Sequence, residues 1–215
     1  EYDQGAPLGF LLVEKLFNVM FGRTEYVLRF FPLLAGLASL WLFYLLIMSL
    51  RGGAGRVERA PFSLVSRLSR RGNLLALALF ALNPQLVYYT SEAKQYIVDV
   101  AVALGLLLLA IPIFQNQLNK KNFTLLAVTG ILALWFSHPA LFALAGIGVA
   151  LVIQFLRTRD FKNLRITFGV GLLWLANLVL LYFINLRQLS QNDYLANYWT
   201  DGFISLFPWS DFNWL

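Results

Sequence analysis

Cysteine is absent from the 215 residues, histidine occurs once, and only 13% of the chain is charged. Each scarcity excludes something. Without cysteine there is no disulfide framework and no thiolate metal site. One histidine and no acidic cluster argue against a structural zinc site. A soluble domain carries charge on about a quarter of its residues, so this chain has too little to cover a wet surface. What it has instead is apolar: 59% hydrophobic residues and a mean hydropathy of +0.67. They lie in long blocks separated by short polar patches. A helix of about 20 apolar residues spans the ~30 Å hydrocarbon core, and backbone in lipid must satisfy its own hydrogen bonds. The blocks are too long and too uniformly apolar for barrel strands. The expected fold is all-α, a polytopic transmembrane helix bundle with interfacial helices.

Six spans are expected, roughly 28–50, 73–90, 96–115, 123–137, 139–156 and 166–186. One helix over 123–156 would be about 51 Å long, far more than the core needs. Ser137-His138-Pro139 interrupts that run and makes a hairpin the better reading. The organisation is then an outer loop with an interfacial helix over 1–27, a six-span region over 28–186, and an aromatic-rich outer segment over 187–215. The opening Glu1-Tyr2-Asp3-Gln4-Gly5-Ala6-Pro7 and the stop at Trp214-Leu215 read as a piece of something longer.

The net charge of +6 is not a nucleic-acid signal, because of where it lies. Residues 51–72 carry Arg51, Arg56, Arg59, Arg67, Arg70 and Arg71. Residues 116–122 carry Lys120 and Lys121, and residues 157–165 carry Arg157, Arg159, Lys162 and Arg165. These loops hold twelve of the 17 basic residues and fall on one side, which the positive-inside rule makes cytoplasmic. The other side receives residues 1–27, the turn at Ser91 to Gln95, the turn at His138 and the tail. Two segments suit the membrane surface. Residues 61–71 set Phe62, Val65 and Leu68 against Arg67, Arg70 and Arg71. Residues 7–21 are apolar but interrupted by Glu14 and Lys15.

Polar residues on the outer side are few. Tyr88-Tyr89-Thr90-Ser91-Glu92-Ala93-Lys94-Gln95-Tyr96 joins spans two and three, and Asp99 follows just inside span three. Tyr96 and Asp99 share a helix face, and an ionisable group within a span is a functional candidate. The competing reading makes Glu92 and Lys94 solvated turn residues and gives Asp99 a basic partner. His138 reads as a structural turn residue before a ligand. Asn122-Phe123-Thr124 matches a glycosylation sequon but falls on the cytoplasmic side. Gly146, Gly148, Gly169 and Gly171 are expected to permit close helix packing. The tail aromatics, from Tyr194 to Trp214, anchor an interface or line a sugar or lipid site.

The ordered set of segments resembles the GT-C class of membrane glycosyltransferases, in particular the protein O-mannosyltransferase and aminoarabinose-transferase group (glycosyltransferase family 39-like). Asp3, Pro7, Gly22, Glu25, Leu28 and Arg29 stand where that group has its first outer loop and the entry to the next span. Asn83-Pro84 with Tyr89, Glu92, Ala93, Lys94 and Tyr96 resembles its next landmark. Ser137-His138-Pro139-Ala140-Leu141-Phe142 and the segment Tyr194 to Phe203 resemble two later ones. Lys94 replaces the commoner Arg, and the span and acidic residue that usually precede the first loop are missing.

The resemblance implies transfer of a hexose or pentose from a polyprenyl-phosphate donor to an acceptor lipid, glycan or protein at the extracytoplasmic face of a cell membrane, with the principal base upstream. Asp3 and Glu92 are then the local catalytic candidates. Lys94, Arg29, Tyr96 and His138 are the substrate-binding candidates. The donor phosphate needs a cation, as point charge from Lys94 or fork from Arg29. No cofactor is demanded, although some relatives leave room for a divalent metal. A transporter would instead place ionisable residues near span midpoints, and these spans are nearly charge-free there. A non-catalytic membrane scaffold is the other alternative.

Overall fold

The computed structural model describes residues 5–53 and 70–187, and among them every regular element is helical. The helices are α1 (Leu8–Phe21), α2 (Glu25–Gly53), α3 (Arg70–Ala81), α4 (Pro84–Ser91), α5 (Tyr96–Phe114), α6 (Lys120–Phe136), α7 (Ala140–Arg157) and α8 (Phe161–Leu181), the last followed by a π-helical turn, Tyr182–Leu186. Asp3, residues 61–69 and the aromatic tail beyond Arg187 lie outside the described residues. Residues Ala6–Asn177 form one compact unit; residues 1–5 and 178–215 form a second, described only at Gly5 and 178–187.

The helix ends follow from local chemistry. Gly22 stops α1 at φ 88°, a region open to glycine without strain. Asn83 caps α4, its side chain accepting from the backbone of Gln85 and Leu86 at 3.0 and 3.3 Å, and Pro84 occupies the first helical position. Because proline cannot continue the α3 hydrogen-bond ladder, the second expected span is not one straight helix: α3 and α4 meet at a 46° bend. Asn119 caps α6 through Asn122 at 2.8 Å. Asp160 caps α8, accepting from the Asn163 backbone at 3.1 Å and from its amide at 2.6 Å. Ser137-His138-Pro139 separates α6 from α7, so 123–156 is two helices.

α2, α5, α7 and α8 are long and apolar enough to cross a membrane, and the bent α3–α4 pair adds a fifth candidate. α6 has 17 residues, about 26 Å, at the lower limit for a span. Multi-pass membrane character therefore stands on four helices.

α5 is the hub of the larger unit, packing against α2, α4, α6 and α7. It buries Ile97, Val98, Leu104, Leu106, Ala110 and Ile113. Leu37 and Trp41 on α2, Leu132 on α6, Val149 on α7 and Leu172 on α8 are exposed. That is the pattern of helices whose outer faces meet lipid. Close approach is made by small residues, but not the expected ones. A Cβ on Gly146, Gly148, Gly169 or Gly171 would meet nothing within 4 Å, so those glycines permit no close packing. Gly36 instead lies against Thr90, Gly9 against the Trp135 carbonyl, and Gly130 under Trp174, with would-be Cβ contacts of 2.5, 2.7 and 2.3 Å.

The alternation expected from loop charge is visible in the packing. At one end, Gln115 Nε2 donates to the Ser49 carbonyl at 3.5 Å, and Gln154 Nε2 to the Phe114 carbonyl and Asn116 Oδ1 at 3.4 and 3.3 Å. The chain thus enters the basic segments 51–72, 116–122 and 157–165 from one end of the bundle. At the other end, Phe10, Phe31, Ala35, Tyr89, Ile97, Val98 and Phe136 share one buried cluster. α8 lies along α6: Trp174 Nε1 donates to the Ala127 carbonyl and Trp135 Nε1 to Asn177 Oδ1, both at 3.1 Å, while Asn177 Nδ2 donates to the Ile131 carbonyl at 3.2 Å.

Candidate functional site

The end of the bundle away from the basic segments gathers five pieces of chain: α1, the start of α2, the α4–α5 turn, the start of α5, and the α6–α7 break. The cluster around Phe10, Ile97 and Phe136 holds them together.

The α4–α5 turn carries Glu92 and Lys94. Glu92 is the C-cap of α4 and half-buried, and its carbonyl accepts from the Lys94 backbone at 2.8 Å. Lys94 is exposed. A bend this tight carries both side chains on three consecutive residues, and among the described residues neither forms an ion pair. Three tyrosines frame the turn. Tyr89 lies edge-on to Tyr88 and Tyr96, with ring centroids 5.2 and 4.7 Å apart. Such pairs hold amphipathic rings in place and leave their hydroxyls free for polar partners.

Below Tyr96, the Asp99 carboxylate faces the Ser137 hydroxyl, while Asp99 Oδ1 is buried with no hydrogen-bond partner among the described residues. Ser137 is fully buried and also accepts from the Ala140 backbone at 3.1 Å, so it starts α7. Its neighbour His138 is half-buried, and desolvation holds its imidazole below the ordinary histidine range. A neutral imidazole can both donate and accept.

Arg29 is not a free cation. It forms an ion pair with Glu25 one helical turn back, both side chains being substantially exposed. A phosphate would have to compete with that carboxylate. On α1, Glu14 and Asn18 follow Phe10 at helical spacing on the inward face. Neither Glu14 nor Asn18 stood out in the sequence as a site residue. Both carboxylate oxygens of Glu14 and Oδ1 of Asn18 are buried without a hydrogen-bond partner among the described residues, and burial pushes the Glu14 carboxyl up to about 7. The readable signal was a carboxylate in an otherwise apolar run, which marked an interruption of the helix face and nothing more.

A cleft of about 360 Å³ opens between α2, α3, α4 and the start of α5, walled by Leu33, Leu37, Phe80 and Val87, with Thr90 and Ser91 at its polar edge. Glu92, Lys94, Arg29, Tyr96 and His138 do not line it. These five side chains share an end of the bundle. The described residues bring no three His, Asp or Glu side chains together as metal ligands, so no metal step is built on them. No protein-family model, curated protein or solved structure matches the chain.

Proposed function

We propose that this chain is part of a membrane glycosyltransferase that moves a sugar from a polyprenyl-phosphate donor to an acceptor at the extracytoplasmic face of a cell membrane. The observation that carries the reading is the segregation of polar groups along the helices. In α5 the one ionisable residue is Asp99 in the first turn. In α2, Glu25 and Arg29 sit at the start and Arg51 near the end; in α7 the charge is Arg157 at the end. The mid-bundle is left apolar, which suits a prenyl chain and not a transport path.

On this reading the end bearing Glu92, Lys94, Tyr96 and His138 meets the headgroup. Lys94 neutralises the donor phosphate, at a margin where the low dielectric strengthens a cation–anion contact beyond its value in water. Tyr96 and Tyr89 offer ring faces and hydroxyls to the sugar. His138, held neutral, orients a hydroxyl or amine of the acceptor. Glu92 supports a general base, a carboxylate within hydrogen-bond reach of the acceptor proton, supplied by chain preceding this segment. The apolar cleft beside Thr90 and Ser91 offers the first prenyl units a dry surface.

The test is transfer by the full-length protein in sealed vesicles. A panel of polyprenyl-phosphate hexoses and pentoses is supplied, and release of sugar-free polyprenyl phosphate is followed. Release with at least one donor supports the reading. No release with any of them, from protein shown to be folded, contradicts it.

A further inference from the structure

α1 has two unlike faces. Leu12, Leu16, Val19, Met20 and Phe21 are exposed, as suits a helix lying against lipid. Phe10, Glu14 and Asn18, each one turn further along, point the other way. Phe10 belongs to the buried cluster at the start of α5. Glu14 is only 8% exposed, yet among the described residues both its oxygens lack a donor, and so does Asn18 Oδ1. Buried polar groups are nearly always satisfied, and leaving one unmade costs the full desolvation of that group. Three such atoms on adjacent turns of one face describe a surface complementary to hydroxyl groups, which donate to Asn18 Oδ1 and to Glu14 and can also accept from Glu14 when it is protonated.

The helix is also hung so that this surface can be reached. Its start is pinned, with Gly9 against the Trp135 carbonyl and Phe10 in the cluster. Its end meets α2 through Gly22, at φ 88° and ψ 168°, with open space around its would-be Cβ. Phe17 rests on Phe30 and Phe31 of α2 with ring centroids 5.6 and 6.4 Å apart, contacts that can separate without breaking a hydrogen bond.

We propose that the inward face of α1 is a sugar-binding surface, on which Glu14 and Asn18 accept hydrogen bonds from sugar hydroxyls when the Gly22 end of α1 swings away from α2 about the pinned start. This rests on the glycosyltransferase reading and extends it to residues outside the α4–α5 turn. With the Glu14 carboxyl raised by burial to about 7, a neutral acid is present for an apolar carboxyl reagent to find.

The experiment is carried out on the full-length protein in membranes. Dicyclohexylcarbodiimide modifies protonated carboxyls in apolar surroundings, and modification of Glu14 is read by peptide mass, with Glu14→Gln as the control for site identity. Labelling is compared without lipid, with the polyprenyl-phosphate sugar panel, and with sugar-free polyprenyl phosphate. The expected result is that Glu14 labels, and that at least one sugar-bearing lipid slows it about tenfold at ten times its Kd while the sugar-free lipid does not. No labelling under any condition overturns the proposal, as does equal protection by the sugar-free lipid. If the same preparation transfers sugar and no donor protects Glu14, the α1 surface falls and the functional reading stands. If a sugar-bearing lipid protects Glu14 and nothing is transferred, the surface stands and the transferase reading falls.

Discussion

Asp99, in the first turn of α5, faces the hydroxyl of Ser137, which stands in the break between α6 and α7. The same hydroxyl accepts from the Ala140 backbone at 3.1 Å. One buried side chain thus starts α7 and borders α5 at the end proposed to carry the chemistry. Ser137→Ala uncaps α7 and takes a polar neighbour from a carboxylate that already has one orphaned oxygen among the described residues. The expected cost is about 1–3 kcal/mol, read as a fall in thermal stability in detergent, with Ser137→Thr keeping most of it. Equal stability of Ser137→Ala and wild type would show that the bond contributes nothing.

Glycine substitutions separate packed positions from open ones. A methyl on Gly130 meets Trp174 Nε1 at 2.3 Å and displaces the indole from its bond to the Ala127 carbonyl. Gly130→Ala should destabilise by about 1–3 kcal/mol. Gly146→Ala, in open space within α7, should be neutral or gain about 0.5–1 kcal/mol from helix propensity. Thermal unfolding of the two variants side by side decides it. The reverse order would mean the α6–α8 contact is not as described.

Topology can be read by thiol labelling, since the chain has no cysteine of its own. Single cysteines at Lys120 and Lys162 are expected to react from one side of the membrane, and at Ser91 and His138 from the other. The ties of Gln115 to Ser49 and of Gln154 to Asn116 motivate the first pair. Labelling of position 120 by an impermeant reagent in intact cells would reverse the orientation assigned from basic loops.

Glu14 should make stability fall as pH rises. Burial lifts its carboxyl from 4.5 in an open chain to about 7, so the folded protein holds that proton more tightly than the unfolded one. The contribution is complete below about 4.5 and is lost as pH climbs through 7. His138, shifted down by burial, acts in the opposite sense at the acid end, so the informative quantity is the difference between wild type and Glu14→Gln. That variant is expected to be the more stable of the two at pH 8, with the advantage shrinking toward pH 5. A difference independent of pH would show that Glu14 does not titrate between folded and unfolded states.

Which parts of this were legible in the sequence depends on the range of the interaction responsible. The all-α membrane fold, the break at Ser137-His138-Pro139 and the shared end of the basic segments were readable, because composition, proline and loop charge act locally. Asn83-Pro84 is plain in the sequence, but hydropathy over a 20-residue window is blind to a capped proline within it, so the 46° bend inside 73–90 does not show there. The packing glycines were misassigned. Gly146 and Gly148 look like a contact stripe in isolation, whereas the crowding at Gly36 and Gly130 depends on Thr90 and Trp174, which are 54 and 44 residues away along the chain. Glu14 reads as a mere interruption of an apolar run for the same reason. That its oxygens are buried is set by how α1 packs, which no local pattern encodes.

The central claim is that the end bearing the α4–α5 turn handles a phosphate-linked sugar. The most direct measurement is sugar transfer by the full-length protein carrying Lys94→Ala or Glu92→Gln, against Lys121→Ala at the opposite end of the bundle, at matched expression. A charged hydrogen bond contributes about 1.5–3 kcal/mol, so losing Lys94 should slow transfer about tenfold to a hundredfold, with Glu92→Gln also impaired and Lys121→Ala near wild type. If all three variants transfer sugar alike, Glu92 and Lys94 are solvated turn residues and the site assigned to this end of the bundle is wrong.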